Sequence, residues 1–481
     1  MPSTASAIVW FRQDLRLADN PALAAAAAHG GPVLPVYILE DGGPWAPGGA
    51  ARWWLHHSLA ALSRDLKSLG APLCLRSGEA EKILPQLVKE AGAGALFWNR
   101  CYEPRAVARD KALKADLSAA GIETKSFNGA LLVEPWELKT GQGEPYKVFT
   151  PFWKALLAAG APPQPLPRPK KLDGVKGVAS EALNEWELLP TQPDWAGGIR
   201  ETWMPGEDGA AERLRDFLDA AAARYKGDRD RPDLAGTSRL SPHLHWGEIS
   251  PRQVWQATRH AVAAGALNDS AAEAFLRQLG WRDFSHSLLF HWPDFPEKPW
   301  RGDFAAFPWQ SDDEAFAAWC EGRTGYPIVD AGLRQLWATG WMHNRVRMIA
   351  ASFLIKDLLI SWQRGEAWFW DTLVDADLAN NAAGWQWVAG CGADAAPYFR
   401  IFNPVSQGEK FDPKGRYVRQ WVPEIAALPD DTIHQPWNAS EDVLKKAGVT
   451  LGETYPHPIV DHKAARARAL AGYEKVKQAA R

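Results

Sequence analysis

Short apolar runs alternate with amphipathic segments in the first part of the chain, from residue 7 to residue 127. The runs at residues 7–11, 32–39, 73–75 and 95–98 predict strands, and the segments at 20–29, 51–69, 79–91 and 105–120 predict helices. Asn20 before Pro21 is typical of a helix start, and Gly70 of a helix end. Strands that alternate with helices indicate a parallel sheet covered on both faces. We therefore predict an α/β domain over residues 1–130.

The alternation fades after this domain, and we assign residues 131–205 to a linker. Prolines recur between residues 162 and 169, which excludes a helix there and favours an extended chain. From Gly206 onward the pattern is helical, so residues 206–481 predict a second, all-α domain. Within it, Ser270 and Glu273 fit a capping box that opens a helix running through His291.

Composition narrows the class of protein. A chain of 481 residues is too long for one core, and its 46% hydrophobic and 23% charged residues are typical of a globular protein. It has no apolar run of about eighteen residues, so we expect no membrane partner. The N-terminus lacks a signal segment and the four cysteines show no paired spacing, which favours a cytoplasmic location with reduced thiols.

Charge and tryptophan content bear on the ligands. The net charge of −3 argues against a protein coated in basic charge, although one local basic patch would suffice for nucleic acid. The chain has 26 tryptophans, more than packing asks for, so we expect some indoles to stack on ligands or to carry electrons. No Gly-x-Gly-x-x-Gly follows the first predicted strand, which argues against dinucleotide binding in the standard way.

Polar residues stand where a helical core would need apolar ones. If a helix starts near Asp375, then Asp377 and Asn381 face the same way. Upstream, one helical stripe would carry the polar residues Asn344 and Arg347 together with Trp341 and Met348. A buried unpaired charge is very costly, so these groups need polar partners. A large aromatic cofactor with polar edges would supply them.

Two further motifs suit the same ligand. Gly236-Thr-Ser-Arg-Leu-Ser-Pro242 is a hydroxyl-rich loop that runs into a helix, a geometry that phosphate groups favour, although an ordinary capped loop has the same pattern. Downstream, Gln278, Trp281 and Arg282 fall on one helical face and would form a floor for a flat heterocycle, or else an interdomain helix with a half-buried indole.

Together these motifs resemble the DNA photolyase and cryptochrome family, most like its bacterial members that repair cyclobutane pyrimidine dimers. The resemblance covers nearly the whole chain in order, through residues 9–21, 236–242, 281–284, 325–330, 340–344, 375–387 and 395–404. It implies a Rossmann-like N-terminal antenna domain and a C-terminal helical domain that holds one FAD in a U-shaped conformation. The cofactor-binding residues that it implies are Tyr225, Thr237, Ser238, Arg239, Leu240, Ser241, Trp281, Arg282, Asn344, Arg347, Asp375, Asp377 and Asn381.

The resemblance also assigns residues to the photochemistry. Trp385, Trp362 and Trp309 match the family's chain of three indoles, which relays an electron from the surface to excited flavin. Asn381 falls where relatives place a side chain against flavin N5. Trp368, Trp370 and Trp387 leave a second route open.

The implied substrate is damaged DNA with a pyrimidine dimer turned out of the duplex. The residues that would contact it are Trp281, Asn344, Arg345, Met348, Trp387, Arg400 and Arg229. Gln278 is a departure, because many dimer-repairing relatives have Glu there, and an amide cannot transfer a proton. This leaves the lesion type open.

The implied antenna pigment is methenyltetrahydrofolate near Tyr102 and Glu103. The family's Asn-Glu pair a few positions later is replaced by Arg105 and Ala106, so a deazaflavin, a flavin or no second pigment stays open.

The function that we expect is therefore a monomeric deoxyribodipyrimidine photo-lyase. In such an enzyme, excited reduced FAD donates an electron to the flipped dimer, and the electron returns after the dimer splits. The alternatives are a cryptochrome-type blue-light receptor, which signals through a partner, and a (6-4) photoproduct photolyase. Against the second alternative stands Trp341-Met-His-Asn344, where (6-4) relatives usually have two histidines.

Overall fold

The computed structural model describes residues 5–395 and 399–479. Within them, no helix combines the length and apolar character that a membrane crossing requires. Part of the 395–404 motif, residues 396–398, lies outside the described residues.

The N-terminal part forms the predicted parallel sheet. Its strands are β1 (Ser6–Phe11), β2 (Val33–Leu39), β3 (Cys74–Ser77), β4 (Ala93–Asn99) and β5 (Glu123–Phe127). They lie in the order β3-β2-β1-β4-β5, and all neighbours pair in parallel. The connecting helices are α1 (Pro21–His29), α2 (Gly49–Leu69), α3 (Ala80–Glu90) and α4 (Pro104–Ala119). The fold prediction is confirmed for this part, although β5 was not among the predicted strands.

Local sequence explains these elements. The side chain of Asn20 accepts a hydrogen bond from the Leu23 backbone N–H, and Pro21 is the first helical residue of α1. Gly70 ends α2 with a left-handed φ of 99°. All residues of β1 and β2 are buried because helices cover both sheet faces, whereas the edge strand β5 has no fully buried residue. Its polar sequence gave no apolar run to detect.

The segment between the sheet and the helical part contains three helices. They are α5 (Phe149–Ala158), α6 (Gly197–Thr202) and α7 (Glu207–Ala220), the last of which begins just inside the predicted helical domain. The proline-rich residues 160–169 form neither helix nor strand, so the predicted absence of a helix there is confirmed. Phe149, Phe152 and Trp153 of α5 pack in one core with Phe284, so this helix belongs to the helical core although it precedes the proline run.

The rest of the described chain is helical, with only isolated bridges outside the sheet. Its helices are α8 (Tyr225–Asp228), α9 (Ser241–His245), α10 (Pro251–Ala263), α11 (Asp269–His291), α12 (Asp313–Cys320), α13 (Pro327–Thr339), α14 (Asn344–Ser352), α15 (Trp362–Thr372), α16 (Leu378–Ala389), α17 (Pro404–Phe411), α18 (Arg416–Trp421), α19 (Glu441–Ala447) and α20 (His462–Ala479).

Three local predictions in this part were wrong. Helix α11 is capped by Asn268, whose side chain accepts from the Ala271 N–H, so Ser270 and Glu273 form no capping box. Helix α14 begins at Asn344, so Trp341 precedes it and is not on its stripe. Helix α16 begins at Leu378, with Asp377 as its cap, rather than near Asp375. In each case the capping side chain, not the periodicity, fixes the start.

Buried polar groups join the sheet to the helical part. Arg16, after β1, donates to the carbonyl oxygens of Gly247 (2.8 Å) and Gly129 (2.6 Å). Glu248 accepts from Trp54 Nε1 of α2 at 3.0 Å and from the Gly206 N–H at 2.7 Å. Because both side chains are buried, these bonds fix the position of the loop after β1 against the end of α9.

Gly247 allows the closest approach at this junction. Its φ is +66°, and a Cβ there would lie 2.1 Å from the Gln13 carbonyl oxygen. We predict that Gly247→Ala lowers the stability of the first unfolding transition by at least about 3 kcal/mol, because backbone strain adds to an unavoidable clash. Gly265→Ala is the matched control, since Gly265 has a φ of +75° and open space around its Cβ. It should cost only ~1 kcal/mol in the same thermal scan. Equal shifts for the two variants would show that the junction tolerates the added methyl.

Candidate cofactor and substrate cavity

One cavity of about 710 Å³ lies in the helical part, between α9, α11, α14 and α16. This volume is in the range of small-molecule and cofactor sites. All thirteen residues predicted to bind the cofactor line it: Tyr225, Thr237, Ser238, Arg239, Leu240, Ser241, Trp281, Arg282, Asn344, Arg347, Asp375, Asp377 and Asn381. Residues that are up to 156 positions apart in the sequence, from Tyr225 to Asn381, therefore surround the same cavity.

The hydroxyl-rich loop forms one end of the cavity. Arg239 has a left-handed φ of 51°, and its guanidinium lies 4.9 Å from the ring centroid of Trp341. The indole of Trp341 in turn donates to Ser241 Oγ at 3.3 Å. Helix α9 is only five residues long, so its dipole is small. A phosphate group here would depend on the hydroxyls and on Arg239 rather than on the helix terminus.

A charge pair forms the next part of the wall. Arg347 Nη2 lies 3.0 and 2.8 Å from the two carboxylate oxygens of Asp375, and its Nε donates to the Met342 carbonyl at 2.7 Å. The Asp375 side chain is only 2% exposed, whereas Arg347 is 24% exposed. The pair is thus open to the cavity on the arginine side, and loss of either partner would leave a charge in a largely dry site.

Asp377 is the second carboxylate in this wall. Its Oδ1 accepts from both the backbone N–H and the side-chain amide of Asn380 (2.8 and 2.7 Å). Its Oδ2 faces His245 Nδ1 at 3.5 Å and His286 Nε2 at 3.4 Å. Burial alone would raise the pKa of Asp377, but His286 and His245 bring it well below its usual value.

The sequence interpretation missed both histidines. His245 stands four residues after Ser241, and His286 stands four residues after Arg282 on α11. That helical spacing from two predicted site residues was the available signal.

Asn381 lies one turn further along α16. Its Nδ2 donates to the Glu366 carbonyl of α15 at 3.1 Å, so its side-chain oxygen is free to face the cavity that it lines. The Glu366 carboxyl is itself buried, and burial followed by repulsion from Glu297 raises its pKa well above the usual value.

The mouth of the cavity combines aromatic and basic side chains. All seven residues predicted to contact DNA also line the cavity: Trp281, Asn344, Arg345, Met348, Trp387, Arg400 and Arg229. One face of Trp281 stacks on Phe149 of α5, with ring centroids 3.6 Å apart and planes 8° from parallel. Helix α5 therefore holds the Trp281 ring in place in the wall of the cavity.

Gln278 and the basic residues at the mouth already have protein partners. The Gln278 side-chain oxygen accepts from Arg229 at 3.3 Å, while its amide donates to the Ala274 carbonyl at 3.1 Å. Arg345 forms an ion pair with Asp230 at 3.0 Å and stacks on Phe411 at 4.4 Å. A phosphate that engages Arg345 must therefore share it with Asp230 or displace that carboxylate.

His343, beside Asn344, acts as a helix cap. Its Nδ1 accepts from the Arg345 backbone N–H at 3.2 Å, at the start of α14. Burial lowers the pKa of His343 to about 4, so the ring is neutral near pH 7. This arrangement favours a structural role over acid catalysis.

The three tryptophans predicted to relay electrons differ in burial. Trp385 lines the cavity and is buried, Trp362 is buried, and Trp309 is half-buried. The Gln310 N–H donates to the Leu359 carbonyl at 2.8 Å. This bond places the segment that contains Trp309 beside the start of α15, whose first residue is Trp362. Trp385 packs on the same helix at Gly365, where a Cβ would lie 2.1 Å from the indole ring.

Trp362 and Trp309 are not among the residues that line the cavity. The three other tryptophans named from the sequence, Trp368, Trp370 and Trp387, lie in different surroundings. Trp387 lines the cavity, and Trp370 donates to the Ala46 carbonyl at 2.7 Å, in contact with the sheet domain. Trp368 stacks on the exposed Trp337, with ring centroids 6.0 Å apart and planes 3° from parallel. A second route stays a prediction.

The two residues predicted near the antenna pigment are both engaged within the protein. Tyr102 is 3% exposed and its hydroxyl donates to Glu134 at 2.8 Å, while Glu103 accepts from Gln13 at 2.9 Å. At the carboxyl end of β1, the guanidinium groups of Arg12 and Arg109 lie 4.3 and 4.6 Å from the Trp10 ring centroid. These charged side chains fill the crevice between β1 and β4, where parallel sheets commonly bind ligands.

The donor set of the cavity fits a flavin dinucleotide. Hydroxyls and Arg239 stand at one end for phosphates, and charged and amide groups stand in the middle for the polar edge of an isoalloxazine ring.

Comparison with known proteins agrees with this geometry. Residues 7–170 match the family model described as DNA photolyase, and residues 275–475 match the FAD binding domain of DNA photolyase. A deoxyribodipyrimidine photo-lyase of Agrobacterium fabrum is 57% identical over 99% of each chain, and Cryptochrome-1 of Arabidopsis thaliana is 42% identical over 96% of this chain and 69% of that protein. The crystal structure of a bacterial class III photolyase from Agrobacterium tumefaciens superposes with a TM-score of 0.96 at 56% identity, over 99% of this chain and 98% of that one.

Proposed function

Because the chain belongs to the DNA photolyase and cryptochrome family, we propose that it is a deoxyribodipyrimidine photo-lyase, which repairs cyclobutane pyrimidine dimers in DNA under light. The observation that carries this proposal is that one continuous cavity is lined by both the cofactor-type and the DNA-facing residues. Electron donation over a short distance requires that a flavin and a flipped base lie in one space. The 42% identity to a plant cryptochrome keeps the receptor function as the second candidate.

FAD, held in its reduced form, supplies the light-driven electron that opens the dimer. The chain holds the phosphates with Thr237, Ser238 and Arg239, and the ring with Arg347, Asp375 and Asp377. Asn381 presents an uncharged amide to the ring edge, which suits either the neutral or the anionic form of the cofactor because an amide both donates and accepts.

The mouth of the cavity recognises the lesion. The Trp281 ring is fixed from behind by Phe149 and wedges the dimer, with Trp387 opposite as a second stacking surface. Each such stacking contact contributes ~1–3 kcal/mol. Gln278 donates and accepts hydrogen bonds to the bases without giving up a proton. The arginines Arg229, Arg345 and Arg400 contact the phosphates on either side.

The tryptophans keep the cofactor reduced. Trp385, Trp362 and Trp309 form the relay from the cavity to the surface, and this assignment is supported by the burial of Trp385 and Trp362 and the partial exposure of Trp309. Trp385 lines the cavity, so an electron passing along this relay would reach a bound cofactor through that residue.

The remaining assignments concern the domains and the antenna. Residues 1–130 form the antenna domain and residues 206–481 the catalytic domain. They are joined by 131–205, of which α5 packs into the core of the catalytic domain, and the protein acts as a monomer. Methenyltetrahydrofolate is the antenna pigment, bound on the Tyr102 and Glu103 side of the interface between the domains. The crevice at the end of β1 is filled by Arg12 and Arg109, which supports a site elsewhere.

We expect illuminated holoenzyme to repair an oligonucleotide with one cyclobutane dimer, and to leave a (6-4) photoproduct unchanged, when both are assayed by chromatography of the products. Dark samples are the control. Repair of the (6-4) lesion alone would replace the proposed substrate. Repair of neither lesion, with light-driven flavin reduction intact, would establish the receptor function instead.

Trp385→Phe should abolish light-driven reduction of the bound oxidised flavin, followed at 450 nm, because phenylalanine is far harder to oxidise than tryptophan. The same variant, once reduced chemically, should repair dimers at close to the normal rate. Trp437→Phe, a half-buried indole packed against Tyr326 and outside the relay, is the matched control and should retain both activities. Loss of repair as well as photoreduction would mean that Trp385 has a structural role.

Arg345→Ala should reduce the salt dependence of lesion binding, with a slope of log K against log [salt] smaller by about 0.9, the value of one phosphate contact. Asp230→Asn should act in the opposite sense and strengthen binding, because it releases Arg345 from its ion pair and removes a negative charge at the mouth. Arg334→Ala breaks a comparable pair with Glu424 away from the cavity and should leave the slope unchanged. An unchanged slope for Arg345→Ala would remove this residue from the DNA contacts.

A further inference from the structure

Asp377 is a buried carboxylate in the cavity wall. Within the described residues, it forms no ion pair with an arginine or a lysine. Asp375 has Arg347, whereas the ion-pair partners of Asp377 are the imidazoles of His245 and His286. Asn380 donates two hydrogen bonds to Asp377 Oδ1, from its backbone N–H (2.8 Å) and its side-chain amide (2.7 Å), which satisfies Asp377 as a carboxylate anion. A buried anion of this kind requires a compensating cation.

The hydrogen bonds of His286 determine its protonation state. Its Nδ1 lies 3.0 Å from the Arg282 carbonyl oxygen, one turn back on α11. A carbonyl oxygen only accepts, so Nδ1 must carry a hydrogen. In the neutral ring, Nε2 would then present a lone pair to Asp377 Oδ2 at 3.4 Å, which is a repulsive contact. The doubly protonated imidazolium is the form that satisfies both neighbours.

The same reasoning gives His245 a different role. Its Nδ1 faces Asp377 Oδ2 at 3.5 Å and has no other partner in the described residues. The neutral tautomer with hydrogen on Nδ1 therefore satisfies this contact, and His245 needs no charge.

The other groups around His286 do not compensate Asp377. On its own helix, Arg282 donates to the Ala130 and Leu244 carbonyls, and its Nη1 lies 4.0 Å from Asp283 Oδ1, so these two opposite charges face each other. The other oxygen of Asp283 accepts from the Leu132 and Val133 backbone N–H groups. From the sheet domain, the Tyr102 ring packs edge-on against His286 at 6.3 Å. Behind that ring, Glu134 is already paired with Arg100 at 2.5 Å. This leaves His286 as the cation next to Asp377.

We propose that His286 is an imidazolium that sets the charge of the cofactor cavity and thereby favours reduced over oxidised flavin. The inference rests on the FAD site of the proposed function. Two-electron reduction with uptake of one proton converts neutral oxidised flavin to an anion. With His286 charged, both carboxylates of the wall are balanced, and the cavity accepts that anion. Without the charge, Asp377 would repel it, so the reduced form would bind less well than the oxidised form.

The test compares two forms of one probe on the apoprotein. Dissociation constants are measured for oxidised FAD and for FAD reduced with dithionite under anaerobic conditions. His286→Asn should weaken binding of the reduced form roughly tenfold more than that of the oxidised form, since one nearby charge is lost. His286→Lys, which restores a positive charge, should recover most of the preference. His260→Asn, on the exposed surface of α10, is the control and should change neither constant.

Equal weakening of both forms by His286→Asn would overturn the proposal and leave His286 a packing residue. Where a variant does not fold, ¹⁵N NMR of the wild-type imidazoles at pH 7 decides the same point, since a neutral His286 ring contradicts the assignment and a doubly protonated ring supports it. Neither measurement involves DNA or light. A holoenzyme that binds FAD but repairs no lesion would therefore count against the proposed enzyme activity and not against this inference.

Discussion

The structure depends on the need to neutralise two carboxylates, Asp375 and Asp377, that lie two residues apart in the wall of a buried cavity. Each carboxylate is neutralised by different side chains. Arg347 reaches Asp375 from α14, whereas two imidazoles and the Asn380 amide surround Asp377 at the start of α16. Since the penalty for an unpaired buried charge is several kcal/mol, these contacts fix how α9, α11, α14 and α16 are placed around the cavity. The space for the cofactor follows from that placement.

Helix α11 contributes residues to several parts of the cavity wall. Gln278 faces the mouth, Trp281 forms the stacking surface, Arg282 lines the cofactor region, and His286 lies behind Asp377. Helix α5 supports this arrangement from outside, because Phe149 stacks on Trp281 and a Cβ at Gly280 would lie 2.4 Å from the Trp153 ring. A segment that sequence alone assigned to a linker thus determines the orientation of the proposed DNA-stacking residue.

The sequence predicted features that depend on local pattern, and it failed where distant contacts decide. Buried strands such as β1 and β2 are continuous apolar runs, and they were predicted at nearly their observed bounds. The edge strand β5 is polar, and only its pairing with β4 makes it a strand. The thirteen cofactor residues came from the family resemblance, and the structure brings them all to one cavity. His245 and His286 were missed because their helical spacing from Ser241 and Arg282 is a weak signal by itself, and their relation to Asp377 exists only in three dimensions.

Helix α16 links charge, cofactor contact and electron entry by its periodicity. Asp377, Asn381 and Trp385 recur every four residues, so they form one face along the cavity. The rotation of α16 about its axis is fixed by two residues, Gln386 and Gly365. Gln386 donates to the Phe295 and Lys298 carbonyls and accepts from the Trp300 N–H, and Gly365 of α15 leaves room for the Trp385 ring. A rotation of α16 would therefore displace the anion, the amide and the indole together. The charge balance of the cavity and the path of the electron are consequences of the same packing, so neither can change without the other.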